Sequence, residues 1–413
     1  MTRSIISTTI ARLLDRINAI SLPGPGFTRP SYSPEESAAH AIVLQECEAL
    51  GLTVTRDAAL NLFARLPGQN RQAQPLYIGS HLDTVPLGGA YDGQAGVAAA
   101  VALATAFVTT GETPPTDIVV TVTRAEESVW FPVSYIGSRA ALGLLSASDM
   151  QACRIDSGRS LADHMRELGG DPDSVLSQPG LSAARFLELH IEQGPVLDEA
   201  GEPFGIVRGV RGGLRYRQAR IEGVWAHSGG APRQSRSDAV FAFADLVVAM
   251  DRVWGNVLAE GDDLAVTFGR VDAASAEHAF AKVPGRLDFC VDIRSDDLAV
   301  LERVDGLFRD EIAKIEQARK VRFLLGPRSS SQPVALSAAL ASEIQQGVVK
   351  LGYAPRMMVS GGGHDAAAFA QAGWDAGMVF LRNWNGSHNP DEAMNVDDLV
   401  SAVETLHRVW SGR

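Results

Sequence analysis

The stretch Leu76-Tyr77-Ile78-Gly79-Ser80-His81-Leu82-Asp83-Thr84-Val85 joins a short apolar run to a His-x-Asp pair. The apolar residues predict a buried β-strand, and His81 and Asp83 follow where that strand ends. Side chains two residues apart on an extended strand end point the same way, so the Asp83 carboxylate can hold one imidazole nitrogen of His81. A lone histidine of this kind would more often be a hydrogen-bonded turn residue than a metal ligand.

Strand and helix patterns alternate on both sides of this stretch. Ser33 followed by Pro34 and Glu36 predicts a helix start, and Gly51 ends that helix. Further strands are expected over 118–122 and 186–191, and an Ala- and Val-rich helix over 94–108. This order predicts an α/β sheet with helices on both faces, and polar residues follow its strand ends, where open α/β sheets place their sites.

The pattern changes after about Gly212. Strands are expected over 214–223, 264–271, 285–294 and 321–325, with helices over 237–254 and 298–317. This β-α-β-β-α-β order is typical of a ferredoxin-like layer. We therefore predict a discontinuous mixed-sheet catalytic domain over 1–211 and 331–413, interrupted by a smaller inserted domain over 212–330.

Five potential metal ligands occur in the order that a two-metal hydrolase needs: His81, Asp92, Glu127, His190 and His388. Imidazole and carboxylate bind zinc, manganese, nickel or cobalt, and two metals that share a carboxylate can activate water at neutral pH. Asp92 precedes a glycine and could instead belong to an ordinary Asp-Gly turn. The set as a whole favours a metal site.

Glu126 and Glu127 end a buried strand as adjacent carboxylates. Neighbouring glutamates usually lie in a solvated loop. Here we favour a division of roles, in which Glu127 binds metal and Glu126 stays free as the general base.

Composition limits the other function classes. The 413-residue chain has a formal net charge of −12, which argues against nucleic acid or anionic membrane as a partner. Three widely spaced cysteines make disulfide bonds improbable. The first residues, up to Ala19, form an amphipathic pattern and not a signal peptide, so we expect a cytoplasmic enzyme.

The motifs together resemble the carbamoylase branch of the metal-dependent aminoacylase and exopeptidase superfamily. This branch holds N-carbamoyl-L-amino-acid hydrolases, β-ureidopropionases and allantoate amidohydrolases. The similarity runs essentially from end to end. The matching blocks are Gly-Ser-His-Leu-Asp-Thr-Val, Tyr-Asp-Gly, Ala-Glu-Glu, Glu-Leu-His-Ile-Glu-Gln-Gly, Ser-Gly-Gly-Gly-His-Asp-Ala and Ser-His-Asn-Pro-Asp-Glu.

The resemblance implies two divalent metal ions per subunit (Zn, Mn, Ni or Co). One ion would be held by His81, Asp92 and His190, and the other by Asp92, Glu127 and His388, with Asp92 bridging. Glu126 would take a proton from the attacking water and pass it to the leaving nitrogen.

The resemblance also implies a homodimer, because a histidine matched by His227 reaches the partner's site in the family and stabilises the oxyanion. The inserted domain would then serve as a lid and dimerisation domain. Arg294 would clamp a substrate carboxylate, since guanidinium pairs with carboxylate in a fork. The other implied substrate contacts are Gln193, Gly362, Gly363 and His364.

Three departures from the family concern substrate recognition. Trp130 stands where the family commonly has Arg, Ala281 stands where it has Asn, and His227 is followed by Ser-Gly-Gly-Ala-Pro-Arg where the family has Ala-Gly-Thr-Thr-Pro-Met. Trp130, Arg382 and Trp384 are candidate pocket residues, and for the two tryptophans an ordinary core or rim position is equally compatible with the sequence.

We therefore predict an amidohydrolase that cleaves a linear, non-peptide carbon–nitrogen bond, in an N-carbamoyl amino acid or a related ureido acid. One alternative is a hydrolase of a different, more aromatic N-acyl compound, favoured by Trp130 and the missing Asn. Another is a metal-free relative that only binds a ligand, which the intact ligand set argues against.

Overall fold

A computed structural model describes residues 2–273 and 277–411 of the chain. The helices are α1 Thr2–Asn18, α2 Pro34–Ala49, α3 Gln94–Thr110, α4 Ile136–Ala141, α5 Ala147–Met150, α6 Leu161–Glu167, α7 Pro172–Ser177, α8 Val196–Ala200, α9 Ala239–Ala259, α10 Leu298–Arg319, α11 Ala338–Lys350, α12 Asp365–Gln371 and α13 Val396–Ser411.

The strands are β1 Thr53–Arg56, β2 Leu62–Leu66, β3 Leu76–His81, β4 Ile118–Thr123, β5 Arg185–Ile191, β6 Phe204–Val210, β7 Gly212–Glu222, β8 Ala226–His227, β9 Ala265–Asp272, β10 Lys282–Val283, β11 Arg286–Ser295, β12 Arg322–Leu324, β13 Arg328–Ser331, β14 Val334–Ala335, β15 Arg356–Ser360, β16 Asp375–Leu381, β17 Asn383–Trp384 and β18 Ala393–Met394.

The chain divides into two compact units. The first comprises Met1–Arg208 and Ala335–Arg413, and the second comprises Gly209–Val334. At the point where the second unit begins and ends, the Leu336 amide donates to the Arg208 carbonyl at 3.0 Å. The chain therefore leaves the first unit and returns to it at neighbouring positions.

A mixed sheet forms the centre of the first unit, as the sequence predicts. Its order is β1-β2-β4-β3-β5-β16-β6-β14, and β15 pairs with β6. Strand β3 runs parallel to β4 and β5, and β16 runs parallel to β5, while β1–β2, β2–β4 and β16–β6 are antiparallel pairs. Helices α1, α3 and α13 pack on one face around an aliphatic core, and an aromatic cluster with Phe186, Phe369 and Trp374 covers the other.

The second unit has its own sheet, in the order β12-β7-β11-β9, with β13 also paired to β7. Helices α9 and α10 pack against this sheet, and buried residues alternate along β11, as in a sheet with one face on a core. The elements follow the predicted β-α-β-β-α-β order. Helix α9 continues five residues beyond the predicted end at Trp254, because Val257 is buried in the core.

No helix in residues 2–273 or 277–411 is both long and apolar enough to cross a membrane.

Candidate active site

Three neighbouring parallel strands bring polar side chains to one edge of the main sheet. His81 is the last residue of β3, Glu126 and Glu127 follow β4, and His190 is the penultimate residue of β5. The register aligns His81 with Thr123, so the strand ends meet. Because the carboxyl ends of parallel strands lie at the same edge, residues over a hundred positions apart become neighbours.

His81, Asp92 and His190 form the first cluster of potential ligands, and all three are buried. Asp92 Oδ1 lies 3.6 Å from His81 Nε2 and 3.1 Å from His190 Nε2. The Nδ1 atoms of the two rings lie 3.0 Å and 2.9 Å from the main-chain carbonyls of Asp83 and Ile191. A neutral imidazole that donates from Nδ1 presents its Nε2 lone pair, so both rings are oriented for metal binding.

Asp92, Glu127 and His388 form the second cluster. His388 Nε2 lies 3.4 Å from Asp92 Oδ2 and 3.6 Å from Glu127 Oε1. Gln193 Nε2 donates to the same Asp92 oxygen at 2.8 Å, and Ser387 Oγ lies 2.7 Å from it. Asp92 thus turns one oxygen toward each cluster, which is the arrangement of a bridging carboxylate.

Gly93 allows this close approach. Its φ of +74° lies in the left-handed region, and a β-carbon there would stand 2.5 Å from His81 Cε1. A larger residue would push the imidazole away from Asp92.

Asp83 acts on more than its neighbour His81. Its Oδ1 and Oδ2 accept hydrogen bonds from the Glu126 and Glu127 amides at 3.1 Å and 3.2 Å, and Ser31 donates to Oδ2 at 2.6 Å. Oδ1 is also 3.3 Å from His81 Nδ1. From the sequence, the Asp83 carboxylate was expected to contact only the imidazole of His81. The structure adds that this carboxylate holds the backbone of the glutamate pair.

A second buried carboxylate supports the same turn. Glu36 accepts a hydrogen bond from the Ala125 amide at 2.9 Å and pairs with the buried Arg124 at 3.1 Å. Ala125 has a φ of +51°, which is unusual for alanine. Glu36 therefore stabilises the turn that presents Glu126 and Glu127.

Burial and mutual repulsion dominate the electrostatics of the carboxylates. Burial, reinforced by Glu127 and Asp365, raises the pKa of Glu126 well above its usual value. Burial and Asp92 raise the pKa of Glu127 to about 7. No described residue forms a hydrogen bond with the Glu126 carboxylate. Glu126 is thus free to exchange a proton, as expected of a base.

The neighbouring carboxylates in turn raise the pKa values of two histidines, His81 and His388. Burial opposes protonation of His81, but Asp83, Glu126 and Asp92 outweigh it and raise its pKa well above the usual value. A hydrogen bond to Asp92 raises the pKa of His388 to about 9. Such a buried excess of carboxylates beside imidazole Nε2 atoms fits divalent cations better than protons alone.

Glu392 is a supporting residue that the sequence interpretation did not single out. Its Oε1 accepts from the amides of Tyr91 and Asp92 at 2.8 Å and 3.2 Å, and its Oε2 accepts from Ser387 Oγ at 2.6 Å. Its only sequence signal is its place at the end of the Ser-His-Asn-Pro-Asp-Glu block. Glu392 links the loop of His388 to that of Asp92.

The predicted substrate contacts of the first unit surround the clusters. A β-carbon at Gly362 would lie 3.5 Å from Gln193 Oε1, and one at Gly363 would overlap the Tyr135 hydroxyl at 1.5 Å. The His364 ring is 4.4 Å from that of His190, and its Nε2 lies 2.9 Å from Ser360 Oγ. The Gly-rich loop therefore borders the candidate metal ligands.

The candidate pocket residues Trp130, Arg382 and Trp384 lie in different environments. Trp130 is buried in a core cluster, and its indole donates to the Thr84 carbonyl at 2.7 Å, which fits the core interpretation. Arg382 pairs with Asp398 at 2.8 Å, and Trp384 is exposed.

The predicted residues of the second unit lie on its loops and sheet. His227 is exposed, and its Nδ1 accepts from the amides of Gly229 and Gly230 at 3.2 Å and 3.0 Å. Arg294, on β11, contacts Asp292 at 2.8 Å from Nε and 2.7 Å from Nη2. The main-chain carbonyl of Ala281 accepts from the Ser228 amide at 2.8 Å, so this position supports the His227 loop through its backbone.

Comparison with known proteins covers nearly the whole chain. Residues 77–411 match peptidase family M20/M25/M40. An N-carbamoyl-L-amino acid amidohydrolase of Geobacillus stearothermophilus is 33% identical over 407 residues, which span 97% of this chain and 96% of that protein. An allantoate amidohydrolase of Escherichia coli is 32% identical over 391 residues, covering 93% and 92% of the two chains. The crystal structure of an amidase of the hydantoinase/carbamoylase family from Burkholderia multivorans superimposes with a TM-score of 0.87 at 26% identity, covering 98% of this chain and 97% of that one.

Proposed function

The chain belongs to peptidase family M20/M25/M40, and within it to the carbamoylase branch, and from this we propose that it hydrolyses the carbon–nitrogen bond of an N-carbamoyl amino acid or a related ureido acid. The observation that carries the proposal is Asp92, whose two oxygens each face a separate ligand cluster. Relatives named as hydrolases of N-carbamoyl-L-amino acids and of allantoate support the substrate class.

In this proposal His81, Asp92 and His190 would hold one divalent ion, and Asp92, Glu127 and His388 would hold a second. When bound, such ions polarise a carbonyl and lower the pKa of water. Zn, Mn, Ni and Co all suit imidazole and carboxylate ligands, so the ligand set alone does not select among them.

Glu126 is the proposed general base. Its carboxylate is buried beside the clusters, its pKa is raised by burial, and no described residue occupies it by a hydrogen bond. Glu126 takes a proton from the attacking water and gives it to the departing nitrogen, which leaves as a neutral amine. Asp83 fixes the backbone of this residue and therefore acts as a positioning group.

His227 is the proposed oxyanion donor, contributed by the partner subunit of a homodimer. Because its Nδ1 accepts two amide hydrogen bonds, the neutral ring carries its proton on Nε2. An exposed Nε2–H is the donor that such a role requires.

The remaining proposed roles concern substrate binding. Arg294 would clamp the substrate carboxylate, which then replaces or joins Asp292 on the guanidinium. Gln193, Gly362, Gly363 and His364 border the ligand clusters and would hold the reacting group. The more aromatic N-acyl alternative loses one of its two supports, because Trp130 is buried in the core. In view of the charge of −12, we propose a small-molecule substrate, without nucleic acid or membrane partners. The three widely spaced cysteines support a proposed cytoplasmic location.

The test is ammonia release and substrate loss across N-carbamoyl, ureido, N-formyl and N-acyl amino acids, with each metal supplied in turn to chelator-treated protein. We expect two metals per chain and chelator-sensitive hydrolysis of carbamoyl or ureido compounds. Less than one metal per chain, with no chelator-sensitive hydrolysis, would overturn the enzyme assignment. Hydrolysis of N-acyl compounds alone would overturn the substrate class.

A further inference from the structure

Tyr135 follows the Glu126–Glu127 pair and is held by its backbone. The Tyr135 amide donates to the Glu126 carbonyl at 3.1 Å, and its φ of +56° lies in the left-handed region, directly before helix α4. This backbone directs the half-buried ring to the Gly-rich loop. A β-carbon at Gly363 would lie 1.5 Å from the phenolic oxygen, so only glycine admits the ring there.

The hydroxyl also borders the candidate metal ligands. His364 follows Gly363 in the chain, and its ring lies 4.4 Å from that of His190. Gly363 itself is exposed, so a small molecule can reach this part of the Gly-rich loop from solvent. The Tyr135 hydroxyl therefore lies against the loop that borders the candidate metal ligands.

Two buried carboxylates near Tyr135, those of Asp365 and Glu188, already have hydrogen-bond partners. Asp365 accepts from Ser138 and Thr123, both at 2.5 Å. Glu188 accepts from Ser80 Oγ at 2.7 Å and from the Ala366 amide at 2.8 Å.

The phenolic hydroxyl, by contrast, forms no hydrogen bond with any described residue. Burial, and then the charges of Glu126, Asp365 and Glu188, raise the pKa of Tyr135, so the phenol stays protonated at neutral pH. It can donate one hydrogen bond and accept another. Leaving such a group unpaired in a substrate-filled site weakens binding, and a matching ligand group would recover that loss.

We propose that the Tyr135 hydroxyl is a specificity-determining contact for the terminal amino group of a ureido substrate. Its oxygen accepts an N–H of the carbamoyl head. N-formyl and N-acetyl compounds lack this N–H and leave the hydroxyl oxygen unpaired. A site built around such a hydrogen bond discriminates against the analogue that lacks it. The inference rests on the proposed carbamoyl hydrolysis.

The experiment compares wild type and Tyr135→Phe, both metal-loaded, on the N-carbamoyl and N-formyl derivatives of one L-amino acid. We expect kcat/KM for the carbamoyl substrate to fall about 10- to 100-fold, and that for the formyl substrate to change by less than about threefold. Tyr77→Phe is the matched control, because it removes a phenolic hydroxyl from the aromatic core, and it should leave both values unchanged.

A second readout separates binding from chemistry. In a Glu126→Gln background, the added Tyr135→Phe change should weaken binding of the carbamoyl substrate, measured by calorimetry, while metal content and thermal unfolding stay unchanged. Equal losses on both substrates, or no loss on the carbamoyl substrate, would overturn the role of Tyr135. A wild-type enzyme inactive on carbamoyl and ureido compounds would instead overturn the proposed function, so the two failures are distinguishable.

Discussion

Glu392→Ala is expected to weaken metal binding although it removes none of the candidate ligands. Glu392 accepts from the Tyr91 and Asp92 amides and from Ser387, whose hydroxyl also contacts Asp92 at 2.7 Å. Alanine leaves the two amides without this acceptor, and Ser387 keeps only its contact with Asp92. Asp92 then loses the support that aims its two oxygens at different clusters.

The size of the effect follows from these contacts. Hydrogen bonds to a charged group contribute about 1.5–3 kcal/mol each, and the 3.2 Å bond to Asp92 belongs at the lower end. Part of this loss is offset, because burial and then the charge of Asp92 raise the pKa of Glu392, and alanine removes that repulsion. Supporting residues of this kind typically change metal affinity about 10- to 100-fold, and we expect a weakening in that range.

Competition with a chromogenic chelator measures the metal dissociation constants directly. Glu392→Gln is the matched control, because its carbonyl oxygen can still accept from the two amides while its amino group donates to Ser387. We expect the glutamine variant to stay within about threefold of wild type. An alanine variant that unfolds at a lower temperature but binds metal as tightly as wild type would refute the reasoning, since Glu392 would then be structural only.

Three further predictions concern the base, the oxyanion donor and a remote histidine. Glu126→Gln should lower kcat by about 10²- to 10⁴-fold with unchanged metal content, and a smaller fall would exclude its role as base. His227→Ala should lower kcat by about 10²- to 10³-fold, again with metal retained. If each subunit contributes His227 to its partner's site, mixing the two inactive variants should restore activity. One site of each mixed dimer then has both an intact Glu126 and an intact His227. A mixture that stays inactive argues against a shared site. Burial, and then Arg124 and Arg56, lower the pKa of His40 well below its usual value of about 6.5, so the unfolded chain alone binds this proton. Below about pH 6.5 wild type should therefore lose about 1.4 kcal/mol of unfolding free energy per pH unit more than His40→Leu, and parallel urea-unfolding profiles would contradict this.

The helices and strands could be predicted from local patterns, because the residues that indicate each helix or strand lie within it. Helix α3 begins at Gln94 as expected, and β5 ends at Ile191 as expected. Helix α9 extends past its predicted end at Trp254, because burial of Val257 outweighs the low helix propensity of Gly255 and Asn256.

The supporting contacts of the site were not predictable in the same way. Tyr91 and Glu392 are separated by 301 positions, and no local pattern reports a hydrogen bond over that distance. Likewise, Asp83 was expected to serve the adjacent His81, but its bonds to the Glu126 and Glu127 amides depend on how β3 and β4 pair. Residue types indicated the chemistry, whereas the order of the strands determined which residues support it.

The hydrogen bond between Arg208 and Leu336 has a consequence for the history of the chain. When an inserted segment begins and ends at two hydrogen-bonded positions of another domain, recombination can add, remove or exchange it. The strands of the surrounding domain then keep their order. The two units can therefore diverge at different rates. Substitutions in the inserted unit, such as those in the segment after His227, then need not alter the strands that carry the candidate metal ligands.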